Sequence, residues 1–114
     1  MRQFESGATR DTEDGKLDYE GFLSPAVLLR FAKYMHKNKV QKDGAIREAD
    51  NWQKGIPHSA YMKSMFRHFM DVWLQYRHTA GARTDIEESL CGLLFNVQGL
   101  LYEILKEKEG RNEQ

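Results

Sequence analysis

The fold is decided by residues 84–108, which read TDIEESLCGLLFNVQGLLYEILKEK. Apolar side chains recur there every three or four positions, the spacing that places them on one face of an α-helix. The stretch opens on Thr84-Asp85-Ile86-Glu87, which fits a capping box in which Thr84 and Glu87 satisfy each other's backbone donors. We therefore predict a long helix to about residue 108. Its wide apolar stripe consists of Ile86, Leu90, Leu93, Leu94, Val97, Leu100, Leu101, Ile104 and Leu105.

Two further helices are predicted upstream. Ser24-Pro25 is a helix-start signal, and helical spacing of apolar residues continues from there to about residue 39. A second periodic stretch covers residues 59–78. Residues 1–23 have no apolar period, and three glycines interrupt them. The sequence thus predicts an all-α fold, a small bundle of three main helices in a single domain of residues 1–114. It divides into an irregular arm (1–23), a helical core (24–109) and a frayed tail (110–114), and aromatic residues of the arm (Phe4, Tyr19 and Phe22) are expected to anchor it to the core.

The stripe of the last helix is wider than one neighbouring helix can cover. Each large apolar side chain left in water forgoes roughly 1.5–3 kcal/mol of burial. A second copy of the chain would recover that energy, so we expect a homodimer or a higher homo-oligomer.

Composition excludes several classes of protein. The 114 residues contain 17 Lys+Arg and 17 Asp+Glu, a formal net charge of zero, whereas domains that bind duplex nucleic acid are usually strongly basic. No apolar run approaches the ~18 residues of a membrane span, and the N-terminus does not resemble a signal peptide. The one cysteine, Cys91, has no partner for an internal disulfide. We expect a cytoplasmic protein, in the host cell's cytoplasm if a phage encodes it, with no membrane and no duplex nucleic acid among its partners.

A basic run lies at residues 30–42, where five Lys or Arg and His36 occur without an acid. Such a run is typical of a solvated helix face. Alternatively, it forms a positive wall that faces an anionic ligand. Its cations are Arg30, Lys33, Lys37, Lys39 and Lys42.

Two pairs of side chains on the predicted helices could contact a cation. His68 and Asp71 are three residues apart and share a helix face, although Asp71 also lies four residues from Arg67, where a plain ion pair competes. Glu87 and Glu88 open the last helix. Acids in a first turn commonly stabilise the helix dipole, but Glu88 is also free to face inward.

Two glycines one heptad apart indicate a close approach on the last helix. Gly92 and Gly99 each cost about 1 kcal/mol relative to alanine in a helix interior. Either another helix packs closely there, or a flat ligand lies against the glycines with Asn96 reading its polar edge.

The connection at residues 50–57, DNWQKGIP, is rich in side chains that recognise ligands. Trp52 is suited to stacking on a base, Asn51 or Gln53 to reading its edge and Lys54 to meeting a phosphate. The alternative is that Trp52 simply plugs the core.

Taken together, these motifs resemble a phage family, the dATP/dGTP diphosphohydrolase N-terminal-domain family, over roughly residues 2–105. The resemblance is carried by Gly7-Ala8-Thr9-Arg10-Asp11, Gly15-Lys16-Leu17-Asp18-Tyr19-Glu20-Gly21, Leu23-Ser24-Pro25, Asp50-Asn51-Trp52-Gln53-Lys54-Gly55, Arg67-His68-Phe69-Met70-Asp71-Val72-Trp73 and Leu94-Phe95-Asn96.

The resemblance implies the chemistry of the all-α, MazG-like nucleotide pyrophosphohydrolases. In these enzymes carboxylates on two helices hold Mg²⁺, with Mn²⁺ as a substitute, and the ion activates a water that splits a purine (d)NTP into (d)NMP and pyrophosphate. The implied catalytic residues are Asp71, Glu88 and His68, and the implied metal ligands are Asp71, Glu88 and Glu87. The implied nucleotide-binding residues are Arg10, Lys16, Asn51, Trp52, Lys54, Arg67 and Asn96.

One departure from the family pattern suggests a second function. The family usually carries an EExxE motif on one helix and an ExxD motif on the next. In Glu88-Ser89-Leu90-Cys91 the cysteine stands at the aspartate position of ExxD, and a thiolate is a poor ligand for Mg²⁺. The alternative to hydrolysis is therefore a protein that binds a nucleotide without cleaving it, either a phage sponge for a host defence signal or a small regulator.

Overall fold

The computed structural model describes residues 2–41 and 43–112, with the side chain of residue 112 left out. The predicted all-α class is confirmed, since helices dominate the described residues and the named strands among them form one two-stranded sheet. No helix within the described ranges is long and apolar enough to cross a membrane. The elements are β1 (Arg2–Gln3), β2 (Thr9–Arg10), α1 (Tyr19–Phe22), α2 (Pro25–Lys37), a 3₁₀ turn (Asn51–Lys54), α3 (His58–Tyr76) and α4 (Ile86–Asn112).

Helix α2 begins where the sequence predicts. The hydroxyl oxygen of Ser24 accepts a hydrogen bond from the backbone N–H of Val27 at 3.2 Å, and Pro25 takes the first helical position. Because proline lacks an N–H and its φ already suits a helix, it fits the first turn without loss.

The cap of α4 differs from the prediction. The carboxylate of Asp85, and not the hydroxyl of Thr84, accepts from the backbone N–H of Glu88 at 2.9 Å. Thr84 instead shares a hydrogen bond of 2.8 Å with the hydroxyl of Ser89, and Glu87 accepts from Arg30. The predicted capping box is therefore wrong by one residue, because the charged Asp85 side chain satisfies the free N–H group.

The arm contains more structure than the sequence predicts. Strands β1 and β2 pair antiparallel, and Asp18 caps the single turn of α1 by accepting from Gly21 at 2.8 Å. The expected aromatic anchors are wrong: the three side chains are 42–84% exposed and do not hold the arm to the core. They are Phe4, Tyr19 and Phe22.

Helices α3 and α4 form the main contact of the fold. The ring of Tyr61 lies over Gly99 and the ring of His68 lies over Gly92, each so close that an added Cβ would collide with the ring. For the two glycines, the interpretation as a close helix–helix approach is confirmed. We call this contact between α3 and α4 the seam. Its α4 residues are small or polar, and Ser89, Asn96 and Glu103 are all buried there.

The connection between α2 and α3 holds a small hairpin. Val40 pairs with Ile46 in an antiparallel bridge, and Arg47 donates its backbone N–H to the carbonyl of Lys39 at 2.7 Å. Gly44 turns the chain with a positive φ of 86°, a conformation that favours glycine. A single helical turn follows the hairpin, the 3₁₀ turn at Asn51–Lys54.

Candidate functional site

A cavity of about 900 Å³ lies between α2, the connection at residues 38–49, the 3₁₀ turn, α3 and α4. Four of the residues selected from the sequence line it together, although they come from three separate elements. They are Asn51, Trp52, His68 and Asn96. The loop at residues 50–57 and two of the helices therefore meet at one place.

Trp52 reaches the cavity wall from the 3₁₀ turn. Its ring packs edge-on against Tyr102 with centroids 4.9 Å apart, and against Phe95 at 6.4 Å. The side chain is only half-buried. Trp52 therefore packs against α4 and also lines the cavity, and its stacking on a base stays a prediction.

Asn96 and His68 contribute polar groups to the lining of the cavity. The side-chain amide of Asn96 donates to the carbonyl of Gly92 at 2.7 Å, which fixes its orientation in a buried position. Nδ1 of His68 is buried and has no hydrogen-bond partner among the described residues. Burial, reinforced by the nearby positive charge of Arg83, lowers the pKa of His68, so the imidazole is neutral at pH 7. A neutral imidazole has one donor and one acceptor nitrogen.

Positive charge reaches the cavity from the hairpin. Its two strands place Lys39 and Arg47 opposite each other, and both line the cavity with His36 from the end of α2 and one acid, Glu48. The basic run thus faces the cavity in part. Lys33 is exposed and is absent from the described lining, and Lys42 lies outside the described residues.

Sequence analysis missed the role of the hairpin, and with it Arg47 and Glu48. The signal was available, because Asp43-Gly44 between the apolar residues Val40 and Ile46 is typical of a tight β-turn.

Four cations that were expected to bind the nucleotide lie outside the cavity. Arg10 is on β2, Lys16 follows it in an exposed turn, and Lys54 and Arg67 are exposed on the 3₁₀ turn and on α3. None of them belongs to the described lining of the cavity. The structure therefore does not bring these four side chains to the residues that they were expected to assist.

Asp71 is buried and bound to Arg83. Two guanidinium nitrogens of Arg83 donate to Oδ2 of Asp71 at 2.7 and 2.9 Å, and the backbone N–H of Arg83 donates to Oδ1 at 3.2 Å. These hydrogen bonds hold the pKa of Asp71 below its usual value and raise the pKa of Arg83. The competing partner from the sequence was Arg67, but Arg83, from the turn before α4, takes that place.

Glu87 and Glu88 are also bound to cations. Arg30 donates to Glu87 at 2.8 Å and to Glu88 at 3.1 Å, and the ammonium group of Lys37 lies 3.4 Å from the same oxygen of Glu88. The two carboxylates raise the pKa of Arg30. These ion pairs tie α2 to the first turn of α4.

The carboxylates expected to hold Mg²⁺ therefore have other partners. A divalent ion at Asp71, Glu87 or Glu88 would have to displace a guanidinium group, and burial raises the pKa of the Cys91 thiol, which keeps it protonated at neutral pH. Within residues 2–41 and 43–112, no group of three or more His, Cys, Asp or Glu side chains is arranged to hold a metal. The side chains in their present arrangement do not fit the ion, and the magnesium site stays a prediction.

No family model, curated protein or solved structure matches this chain.

Proposed function

We propose that this protein binds a nucleotide in the cavity between the hairpin and the helices. The observation that carries the proposal is that one cavity is lined by Asn51, Trp52, His68 and Asn96 and also by Lys39 and Arg47. A volume of about 900 Å³ lies in the range of small-molecule sites, which combine an apolar surface with a few polar groups.

These lining residues suit the two ends of a nucleotide. The aromatic ring of Trp52 offers a surface for the base, and the amides of Asn51 and Asn96 can both donate and accept hydrogen bonds at its edge. Lys39 and Arg47 supply positive charge for phosphate, and guanidinium groups match phosphate oxygens in a bidentate geometry. A purine (d)NTP is the class of ligand that the family resemblance implies.

The ion pairs of the acids favour binding over cleavage. Asp71 is held by Arg83, and Glu88 is held by Arg30 and Lys37. Because both carboxylates are already paired with cations, the proposed function is binding of an intact nucleotide. Hydrolysis of the nucleotide to (d)NMP and pyrophosphate stays a prediction of the resemblance.

Calorimetry with dATP, dGTP, ATP and GTP tests this function, each with Mg²⁺ and with EDTA. The expected result is saturable binding that EDTA does not abolish, with the nucleotide recovered unchanged by chromatography. Release of pyrophosphate would favour the hydrolase instead. Absence of saturable binding with all four nucleotides would overturn the proposal.

A pair of arginine variants locates the binding site. Arg47→Gln removes a cation from the cavity lining and is expected to weaken binding about tenfold, the effect of losing one charge-assisted hydrogen bond. Arg67→Gln makes the same change on the exposed side of α3 and should leave the affinity unchanged. The opposite ranking would move the site to the surface that the sequence first suggested.

A further inference from the structure

The side chain of Asn96 presents a hydrogen-bond acceptor to the cavity. Its Nδ2 donates to the carbonyl of Gly92 at 2.7 Å, which fixes the orientation of the amide, and the residue is only 3% exposed. Among the described residues, the buried side-chain N and O atoms without a partner are the hydroxyl of Tyr61 and Nδ1 of His68. Oδ1 of Asn96 is not one of them and accepts from no described group, so this oxygen is reached from the cavity that Asn96 lines.

His68 presents the complementary group, a donor. Its Nδ1 is buried and has no partner among the described residues, and a buried N–H without an acceptor is rarer in proteins than a buried acceptor without a donor. We therefore assign the proton of the neutral ring to Nε2. Nε2 is not one of the buried atoms without a partner, so its N–H is available to a ligand in the cavity that His68 lines.

Gly92 brings these two groups together. The ring of His68 occupies the space that a Cβ of residue 92 would take, and the amide of Asn96 donates to the carbonyl of the same glycine. Both side chains are thus fixed against one turn of α4. The acceptor of Asn96 and the donor of His68 therefore lie side by side in the lining of the cavity.

An acceptor beside a donor matches the polar edge of a purine base. Adenine carries the donor N6–H₂ between the acceptors N1 and N7, and a 6-oxopurine carries the donor N1–H beside the acceptor O6. A base of either kind satisfies both protein groups at once. A purine without such a donor leaves Oδ1 of Asn96 unpaired, and an unpaired buried polar atom lowers affinity.

We propose that Asn96 and His68 determine the specificity of the cavity for a purine whose edge carries a hydrogen-bond donor beside an acceptor, with Asn96 binding the donor and His68 the acceptor. This inference rests on the proposed nucleotide binding and adds which part of the base is recognised. Lys39 and Arg47 supply charge for the phosphates of any nucleotide, so they do not distinguish one base from another.

Calorimetry with base analogues tests the proposal in the unmodified chain. ATP and ITP each carry the donor beside an acceptor, whereas purine riboside 5′-triphosphate has a hydrogen at position 6 and no donor on that edge. The analogue should bind at least tenfold more weakly than the tighter of ATP and ITP, because Oδ1 of Asn96 loses its partner. Equal affinities for all three would overturn this proposal while the proposed function stands. Absence of binding by any nucleotide would overturn both.

Asn96→Leu removes the acceptor with little change in side-chain volume. The carbonyl of Gly92 keeps its helical partner, the backbone N–H of residue 96, so the variant leaves no backbone group unpaired. The affinity ratio between the tighter of ATP and ITP and purine riboside 5′-triphosphate should fall from at least ten to about one. A purely structural role would weaken all three ligands equally, and an unchanged ratio would overturn the assignment of Asn96.

His68→Phe removes the donor and keeps an aromatic ring over Gly92. Binding of the tighter of ATP and ITP should weaken about tenfold, since the acceptor of the base loses its partner. His78→Phe is the matched control, because His78 is exposed and outside the described lining of the cavity, and its affinity should equal that of the unmodified chain. Unchanged affinity in His68→Phe would overturn the assignment of the donor.

Discussion

The two sides of α4 have opposite chemistry, and the more polar side is the one that packs within the chain. On the seam, Gly92 and Gly99 admit the rings of His68 and Tyr61, while the stripe with Leu94 and Leu101 stays exposed. Close approach therefore decides which side of α4 meets α3, because two glycines let aromatic rings reach the helix backbone. The apolar side remains available for a further partner.

The largest effect should come from filling the seam. Gly99→Val places two methyl groups where the buried ring of Tyr61 lies, and overpacking of this kind costs about 3 kcal/mol of the free energy of unfolding. Urea denaturation measures the loss. Gly110→Val is the matched control, since an added Cβ there meets no described atom within 4 Å. Equal stability of the two variants would contradict the close approach.

A smaller loss of stability is expected when the ion pair between Asp71 and Arg83 is broken. Asp71→Asn removes the anion that Arg83 contacts, and we expect a loss of about 2 kcal/mol in the free energy of unfolding. Arg83 is half exposed and can return to water, which keeps the loss below that of a fully buried pair. Arg67→Gln tests the alternative partner of Asp71 and should change stability little. A larger loss for Arg67→Gln would reverse the assignment.

Removing one polar atom from the seam should have a stabilising effect. The hydroxyl of Tyr61 is buried without a hydrogen-bond partner among the described residues. Tyr61→Phe therefore removes an unsatisfied group, and thermal unfolding should show a gain of about 1 kcal/mol. Tyr76→Phe, at a side chain 77% exposed, should change nothing. A loss of stability in Tyr61→Phe would indicate that the hydroxyl has a bonding partner.

The smallest effect concerns pH. The pKa of His68 is lowered by burial from the ordinary 6.5, so the unfolded chain takes up a proton before the folded chain does. The free energy of unfolding should hence fall as pH drops below about 6.5, until the pH reaches the lower pKa of the folded state. His68→Gln should reduce this slope and His78→Gln should not. Equal slopes in the two variants would contradict the burial of His68.

Much of the fold could be predicted from local signals. Ser24-Pro25 marks the start of α2, and the apolar period marks α3 and α4, because these signals act within one or two turns of helix. The cap of α4 could not be assigned uniquely, since Thr84 and Asp85 are both good caps and only the hydrogen bond to Glu88 decides between them. The structure of the arm depends on the pairing of β1 with β2, which its sequence does not encode by period.

The candidate site was only partly predictable. The residue types at Trp52, Asn51 and Asn96 suggested recognition, and these three side chains do line one cavity. The partners of the acids could not be predicted, because Arg83 and Arg30 reach Asp71 and Glu88 from other segments of the chain. Spacing along one helix shows which side chains share a face. It does not show which charged residues from other segments of the chain contact that face.

The burial of Cys91 makes the reactivity of its thiol a probe of local unfolding. It is the one thiol of the sequence, it is only 7% exposed, and burial raises its pKa. A thiol-specific reagent at neutral pH therefore modifies the chain only when the first half of α4 opens. The rate of that single reaction reports local opening in the unmodified protein, with no added label.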